Sequence, residues 1–431
     1  MFSKSLIVKG TAWTLGGYFI GQVIRFIGNI LLARLITPDI FGFMSLVYTL
    51  IQGVEMFSDL GLGLSIIRDK QGDDPKFLRT AWTIQIIRGL IITVATALIA
   101  YPMSLLYANT QLLYVLPIVG LNSLIASFNT PILFSYNRHL KLAIPVLFDL
   151  GTQIFSLAIV LTTAYYYPSV WALVFGTFCY YVVRVFLSYK LFPGFTPKLE
   201  IDPEIKKGLL DYGKGIFFSS ILGYFSNQLD ILTIGFLFSF KTLGLYSIAL
   251  ALAKAPFEVC RLLVNKIGFP WLSKAHRDES LTRSHLYHLR IKLLLPFILV
   301  QIMLYFISEP VIHLLYKPDY WDAGWMLKWL SIGFIAAIIN QTYSLVWFVT
   351  GETMKQAYLL IAHIALFVTL LTIGYQYGHE KGVIIAISLL EIFFYPIQSY
   401  FIAKRGLWQP LLDVVGFAVI FVLIALNFYN G

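Results

Sequence analysis

Charged side chains inside long apolar stretches are the residues of this sequence that could do chemistry. Arg25 lies about 15 residues into the first stretch, or roughly 22 Å along a helix that rises ~1.5 Å per residue. A guanidinium at that depth could bind a diphosphate through two parallel hydrogen bonds. It could equally form a salt bridge with Glu55, at a comparable depth in the second stretch. Because a charge in apolar surroundings is costly, Arg25 needs such a partner, and both interpretations stay open.

Further cations in apolar stretches are candidate ligands for an anionic group: Arg88, Lys214 and Lys254. Each also has a simpler interpretation. Arg88 could pack against Asp59 or Asp149, and Lys214 could reach the headgroups at the inner end of its helix. Lys254 has Glu258 one helical turn away, and this intrahelical ion pair is the favoured interpretation.

The seventh apolar stretch carries a cluster of polar side chains: Ser226, Asn227, Gln228 and Asp230. Asn227 and Asp230 are three residues apart and share a helix face. Such a cluster could hold a coupling proton or sodium ion, or bind sugar hydroxyls. For Asn227 we favour a packing role between helices, because small polar side chains often join helices in membranes. A carboxylate is costlier there, so Asp230 is the stronger candidate for a function.

Glu55 and Glu391 are further candidates for an ion-coupling or polar cavity site. Both carboxylates lie well inside apolar stretches, and Asn340 and Gln341 are weaker candidates of the same kind. His363 lies near the inner end of its stretch and is expected to be an interfacial residue. We predict neither a metal nor a cofactor.

Composition indicates what surrounds these residues. Of the 431 residues, 58% are hydrophobic and 13% are charged, and the mean hydropathy is +0.77. Soluble domains contain about 25% charged residues, and a single soluble core does not grow to this size. The apolar residues fall into long blocks separated by short polar segments, which is typical of an all-α integral membrane protein. Cys179 and Cys260 lie inside these blocks and are expected to be reduced.

Thirteen stretches are long enough to cross a bilayer core of ~30 Å, which takes about 20 helical residues. A polar segment at 191–208 separates the first six from the second six. The first stretch is expected to be a retained span, because it is too long for a signal peptide and no cleavage site follows it. The predicted spans are 10–33, 41–65, 80–100, 112–134, 143–165, 169–190, 210–237, 243–267, 289–308, 326–349, 357–376, 382–403 and 411–428.

The distribution of basic residues predicts the orientation. The net charge is +10, but the Lys and Arg side chains lie between apolar blocks and form no single patch, which argues against nucleic-acid binding and for anionic lipid headgroups. Most of them, Arg290 included, fall on one side. The other side has four: Arg34, Lys241, Lys317 and Lys381. The positive-inside rule therefore places the N-terminus in the cytoplasm, and thirteen spans place the C-terminus outside.

A weak internal repeat relates the two halves of the chain. Residues 37–45 read TPDIFGFMS and residues 239–247 read SFKTLGLYS, with Gly42 and Gly244 in equivalent positions at outward turns. Two sets of six spans keep the same orientation, so the repeats are parallel. The predicted fold is two parallel six-helix bundles around a central cavity, at residues 1–200 and 201–405. An additional C-terminal transmembrane helix follows at 406–431.

Several segments resemble one family over nearly the whole chain. They include LLARLITPDIFGFMSL (31–46), DLGLGLSIIR (59–68), NRHLKLAIPVLFDLG (137–151), DYGKGIFFSSILGYFSNQLDILTIG (211–235) and LLYKPDYWDAGWMLKWLS (314–331). This pattern is similar to the polysaccharide-transporter branch of the multidrug/oligosaccharidyl-lipid/polysaccharide exporter superfamily. A chain somewhat short for this branch, with thirteen spans, departs from the family at its C-terminal end.

The resemblance implies a flippase of the Wzx type in the cytoplasmic (inner) membrane. Such proteins carry undecaprenyl-diphosphate-linked oligosaccharides from the inner to the outer leaflet by alternating access. They serve the synthesis of O-antigen lipopolysaccharide, capsule or exopolysaccharide. By analogy, polysaccharide polymerase and chain-length proteins are expected partners.

Other functions remain as alternatives. A multidrug or cation exporter of the same superfamily favours acidic residues that bind cations in the N-terminal bundle, whereas the first span of this chain has Arg25 and no carboxylate. A lipid II flippase has nearly the same chemistry, and only the motifs separate it. A polymerase or ligase enzyme acting on the same carrier would need a large outward loop, whereas the longest one here is about 309–325. The inward loops contain no phosphate-binding loop, so an ATP-driven machine is not predicted.

Overall fold

All regular structure in the described part of the chain is helical, because a backbone inside a bilayer must pair its own N–H and C=O groups. The structure is a computed structural model and describes residues 4–58, 61–277 and 283–430. It contains two compact units, Met1–Leu243 and Gly244–Gly431, which we call the N-terminal unit and the C-terminal unit. The predicted boundary near residue 200 lies earlier.

The N-terminal unit consists of α1 (Lys4–Ala33), α2 (Pro38–Met56), α3 (Leu62–Arg68), α4 (Pro75–Leu106), α5 (Leu112–Ser127), α6 (Ile132–Arg138), α7 (Ala143–Tyr166), α8 (Val170–Leu191), α9 (Pro203–Leu237) and the first residues of α10 (Phe240–Leu263). The C-terminal unit holds the rest of α10 and then α11 (Phe269–Arg277), α12 (Arg283–Leu315), α13 (Ala323–Val349), α14 (Thr353–Ala403) and α15 (Pro410–Asn430). Because α9 packs against α2, α3 and α4, it belongs with the N-terminal unit.

Eight helices in the described residues are long and apolar enough to cross a membrane, or nine if the bent pair α5 and α6 forms one span. The chain is therefore a multi-pass membrane protein. Each of the thirteen predicted stretches lies on one or two of the helices of the two units, including the last, which is α15. The helices α2, α9 and α10 do not meet the same test, since they carry more charged and polar residues.

Two predicted stretches differ from the helices that form. The second is interrupted, because α2 ends at Met56 and α3 begins after Gly61, whose φ of 57° is left-handed. The fourth bends by 61° between α5 and α6. The eleventh and twelfth stretches form as predicted, as the two arms of α14 on either side of a break at His379, where φ is 45°. The predicted outward loop at 309–325 is shorter than expected, because α12 continues to Leu315.

Small residues let neighbouring helices of the N-terminal unit approach closely. On α1, a Cβ at Gly17 would collide with Val146 of α7, and one at Gly28 would lie 2.8 Å from Leu157. Helix α2 packs against α9 in the same way at Gly53, and the Tyr224 hydroxyl of α9 donates a hydrogen bond to a carbonyl of α2 at 3.0 Å. The packing of α1 against α7 and of α2 against α9 therefore depends on glycines that leave room for side chains of the neighbouring helix.

A polar cluster joins α6 to the loop after α3. Arg138 donates to the Ile66 carbonyl at 2.9 Å and pairs with Asp73 at 3.2 Å, so it satisfies the C-terminal end of α3. Ser135 also donates to Asp73, and His139 lies 3.0 Å from the same carboxylate. Partial burial opposes ionisation of Asp73, but these two hydrogen bonds and the nearby charges hold its pKa below the usual value. The NRH sequence at 137–139 thus has a structural role at this end of the unit.

A buried ion pair holds α15 in the C-terminal unit. Arg290 of α12 and Asp413 of α15 lie 2.6 Å apart and are 0% and 1% exposed. Tyr343 and Tyr395 donate to Asp413 at 2.6 and 2.7 Å, and Arg290 donates to Thr342 at 2.9 Å. The prediction that Arg290 is a cytoplasmic loop cation is wrong, because its neighbours compensate its charge inside the unit. Asp413 is not among the residues predicted from the sequence to have a role.

Candidate functional site

The N-terminal unit brings two predicted site residues, Arg88 and Glu55, to one cavity of about 600 Å³. Arg88 on α4 donates to the Glu55 carbonyl at 2.9 Å and to Ser58 at 3.1 Å, at the C-terminal end of α2. The Glu55 carboxylate accepts a hydrogen bond from Ser123 of α5 at 2.8 Å. The polar lining is completed by other side chains on α4, α5 and α6: Gln85, Ser127 and Asn137.

Breaks in the helices create this cavity. Gly61 and Gly63 line it where α2 gives way to α3, and Phe134 lines it just after the bend between α5 and α6. A Cβ at Gly63 would collide with Phe134, so a larger residue at position 63 would push α3 and α6 apart. Interrupted helices commonly form the polar sites of membrane transporters, since irregular backbone is tolerated where it lines a cavity.

Of the two acidic partners predicted for Arg88, Asp149 does not contact it. Asp149 pairs instead with Arg184 of α8 at 2.7 Å, and the Arg184 guanidinium also lies over the Phe148 ring at 4.8 Å. Asp59 lies outside the described residues. Within the described part of the chain Arg88 forms no ion pair, so its positive charge faces the cavity without a carboxylate partner.

Arg25 lies apart from this cavity, on an exposed face of α1. The predicted salt bridge with Glu55 is absent among the described residues, since the Glu55 carboxylate bonds to Ser123. Arg25 has no ion-pair partner within 4.0 Å in the described part of the chain. Its alternative role, binding a diphosphate, stays a prediction.

The polar cluster on α9 is divided between several contacts. Asn227 donates to the Gly223 carbonyl of its own helix at 2.7 Å, so it does not join helices in the described structure. The hydrogen bond between α9 and α2 in this cluster is made by Gln228, which donates to Gln52 of α2 at 2.7 Å. Asp230 is half-buried and accepts the backbone N–H of the next residue at 2.8 Å. The side chain of Lys214, the fourth predicted cation, lies outside the described residues.

In the C-terminal unit, Lys254 forms the expected intrahelical pair. Its ammonium lies 3.8 Å from Glu258, which also pairs with Arg261 at 2.6 Å. Glu258 therefore compensates two cations on α10, and this structural role accounts for the position of Lys254.

Glu391 belongs to a cluster on α13 and α14. His363 lies 3.1 Å from the Glu391 carboxylate, and Asn340 donates to the other carboxylate oxygen at 2.7 Å. The prediction that His363 is interfacial is wrong, because the residue is only 9% exposed and packs between the helices. No group of three His, Cys, Asp or Glu side chains suited to a metal occurs in residues 4–58, 61–277 and 283–430.

Comparisons with known proteins indicate both family and fold. The family described as "Polysaccharide biosynthesis protein" matches residues 31–323, and no curated protein matches the chain. A structure of the lipid II flippase MurJ in an inward closed conformation aligns with a TM-score of 0.73 and 14% identity, covering 96% of this chain and 92% of that one. An inward-facing multidrug resistance MATE family transporter of the MOP superfamily aligns with 0.67 and 16%, covering 94% and 96%. The Vibrio cholerae MATE transporter VcmN in its bent form aligns with 0.57 and 11%, covering 94% and 98%. At these identities the structural similarities show the fold alone.

Proposed function

Since the chain belongs to the polysaccharide biosynthesis protein family and has the fold of the MOP superfamily, we propose that it is a flippase for undecaprenyl-diphosphate-linked oligosaccharides. It carries these repeat units from the inner to the outer leaflet of the cytoplasmic membrane by alternating access. The products serve O-antigen, capsule or exopolysaccharide synthesis, with polymerase and chain-length proteins as partners. Its relatives in family and fold are transporters, so the chain is proposed to move its substrate without changing it chemically.

The observation that carries this proposal is that the Arg25 guanidinium has no carboxylate partner in the described part of the chain. A guanidinium inside an apolar helix costs several kcal/mol unless an anion or water compensates it. In the described part of the chain no carboxylate lies within 4.0 Å of Arg25, and its side chain is exposed. An anionic headgroup entering from the membrane supplies the missing charge, and the diphosphate of a lipid carrier matches the guanidinium with two parallel hydrogen bonds.

Arg88 supports the same chemistry at the cavity of the N-terminal unit. Its guanidinium is held by Ser58 and the Glu55 carbonyl, and it keeps donor capacity toward the cavity. A volume of about 600 Å³ lies within the range of ligand sites, ~300–1,000 Å³. We propose that this cavity receives part of the polar headgroup, with Ser123 and Asn137 available for sugar hydroxyls.

A multidrug or cation exporter is the second candidate function. The Glu55 carboxylate at the cavity favours it, as does the fold shared with MATE transporters. The two functions differ in the charge that the protein must bind. An exporter of cations requires Glu55 ionised and has no use for Arg25, whereas a flippase of diphosphates requires Arg25.

The test is outward translocation of a labelled undecaprenyl-diphosphate oligosaccharide in proteoliposomes that contain wild type, Arg25→Ala or Arg34→Ala. Arg34 is the matched control, because it is an exposed arginine just beyond the end of the same helix. Loss of a charge-assisted pair worth about 1.5–3 kcal/mol lowers transport by Arg25→Ala roughly 10- to 150-fold. Arg34→Ala should transport at the wild-type rate.

Wild-type transport in the Arg25→Ala protein would remove the diphosphate role of Arg25. Failure of the wild type to move several such carriers, together with export of a cationic drug that Glu55→Gln abolishes, would replace the flippase with an exporter.

A further inference from the structure

A histidine and a carboxylate meet inside the C-terminal unit, on the two arms of α14. His363 lies on the first arm and Glu391 on the second, beyond the break at His379. The arms approach closely, because a Cβ on Gly374 would lie 2.5 Å from the Gly382 carbonyl oxygen. The His363 Nε2 and Glu391 Oε1 atoms are 3.1 Å apart, and the two side chains are 11% and 28% exposed. Glu391 lies about 12 residues, or roughly 18 Å, from either end of its arm, near the middle of the span.

The cost of a net charge inside the membrane limits how many protons the pair of His363 and Glu391 can carry. With one proton shared between imidazole and carboxylate, the pair is neutral overall, as an ion pair or as two neutral groups. Loss of that proton leaves one negative charge and gain of a second leaves one positive charge, and either is costly inside a membrane. The pair therefore holds one proton, and the partly exposed Glu391 carboxylate offers a route for exchange with water.

The surrounding amides point to a positive ligand. Asn340 donates to the side chain and the backbone carbonyl of Glu391, at 2.7 and 2.9 Å, while Gln398 donates to the backbone carbonyl of Asn340 at 3.0 Å. Both amide oxygens are buried and accept no hydrogen bond among the described residues, although the two residues are only 4% and 3% exposed. Because Asn340 bonds to the Glu391 carboxylate through its amide nitrogen, its unpaired amide oxygen lies near that carboxylate, and the two acceptors together favour a positive charge or a proton.

The other titratable groups on the packed helices are already compensated. Tyr395 follows Glu391 by one turn on α14, and Tyr343 lies on α13, but both donate to Asp413 of α15. Asp413 in turn pairs with Arg290 of α12 at 2.6 Å. That network is neutral and fully bonded, so it leaves His363 and Glu391 as the groups of this region whose charge can change.

We propose that His363 and Glu391 form a binding site for one proton, and that this proton is the ion coupled to transport. The proton comes from water on one side of the membrane and returns to water on the other, and no other bond forms or breaks. Asn340 is a positioning residue, because it holds the carboxylate toward the imidazole. The coupling half of this inference rests on the proposed transport function, whereas the proton site does not.

Two experiments on the full chain separate these halves. The first records infrared difference spectra of the purified protein between about pH 5 and pH 8, the range in which an imidazole changes charge. A carboxyl band that changes with pH, from the protonated or the ionised form of Glu391, should be present in wild type, vanish in Glu391→Gln and shift in His363→Gln. Glu380→Gln is the matched control, since it makes the same change on the same arm near its outer end, and it should keep the band.

The second experiment measures translocation of the labelled lipid-linked oligosaccharide, and lumenal pH, under an imposed pH gradient. Coupling between two sites typically amounts to about 5- to 150-fold, so wild-type and Glu380→Gln transport should respond to the gradient by a factor in that range. His363→Gln and Glu391→Gln should transport at a rate independent of the gradient, without proton movement.

Absence of the carboxyl band in wild type, or its survival in Glu391→Gln, would overturn the proton site. A band assigned to Glu391 together with transport that ignores the gradient would overturn the coupling and leave the flippase standing. Where wild type transports no lipid-linked oligosaccharide, the proposed function fails and the infrared band alone decides the proton site.

Discussion

The charged residues inside the apolar helices fall into two groups that differ in how their charge is compensated. In one group the compensation is internal, as for Arg290 with Asp413 and Lys254 with Glu258. In the other, the described structure offers no carboxylate, and Arg25 belongs to it together with Arg88. Because an internal partner already stabilises the first group, those residues hold the fold, and the second group is free to bind a substrate anion.

The Arg290–Asp413 pair provides a prediction about stability. In Asp413→Asn the guanidinium stays buried without a counter-charge, which typically costs about 3–5 kcal/mol. We expect a large decrease in the melting temperature of the detergent-solubilised protein, measured by thermal unfolding. The matched control is Asp149→Asn, which removes the carboxylate from Arg184 in a pair that is 21% and 57% exposed, where the loss is about 0–1 kcal/mol.

Equal melting temperatures for the two variants would show that Arg290 does not depend on Asp413. A double variant, Arg290→Met with Asp413→Leu, refines the result. Removing both charges leaves none uncompensated, so the double variant should be more stable than Asp413→Asn.

Sequence alone predicts a pair such as Lys254 and Glu258, because the partners are one helical turn apart on a single helix. It does not predict Arg290 with Asp413, or His363 with Glu391, since those partners lie on different helices or different arms of a helix. No spacing rule relates such positions, and only the packing of the unit brings them together. For this reason two residues that are buried in the structure, Arg290 and His363, are predicted from the sequence to lie near the membrane surface.

At the scale of the elements, glycine positions determine how closely the helices pack. Gly16 and Gly17 are neighbours on α1 but have different surroundings. A Cβ on Gly17 would collide with Val146 of α7, whereas one on Gly16 would have nothing within 4 Å. Gly17→Ala should therefore destabilise the protein by about 1–3 kcal/mol through overpacking. Gly16→Ala should raise stability by up to about 1 kcal/mol, since alanine is the better helix former.

Thermal unfolding of both variants in detergent checks this prediction. Because both make the same substitution one residue apart, a difference in melting temperature reports the contact with α7 and not the change in helix propensity. If both variants melt alike, the close approach of α1 and α7 at Gly17 is wrong.

The existence of the helices was predictable from hydropathy, while their interruptions were not. Each predicted span falls on helices, because about 20 apolar residues must form a helix in lipid. The break after α2 depends on one residue, Gly61, in a left-handed conformation. The bend of 61° lies between α5 and α6, and Pro131 is the residue directly before α6. The polar residues at these positions, SD at 58–59 and NTP at 129–131, are too few to end an apolar stretch, so average hydropathy does not show the interruptions. These interruptions form the cavity at Arg88. The sequence could therefore predict Arg88 and Glu55 as individual candidates, but not that they line one cavity.

At the scale of the whole molecule, the remaining prediction is the orientation in the membrane. The distribution of Lys and Arg predicts that the N-terminus is in the cytoplasm. Single cysteines can test it, because the sequence has only two natural ones, Cys179 and Cys260, and Cys260 is buried. After both are replaced by alanine, Lys317→Cys and Lys198→Cys would each introduce a thiol at an exposed position.

An impermeant maleimide added to intact cells should label Lys317→Cys and leave Lys198→Cys unlabelled, and opening the cells should make both reactive. Residue 198 lies in the segment between α8 and α9, and residue 317 in the one between α12 and α13, so the pair samples two loops that the charge pattern assigns to opposite faces. The reverse pattern would contradict the predicted orientation. It would place the basic loops outside, where the anionic lipids of the cytoplasmic leaflet could not attract them.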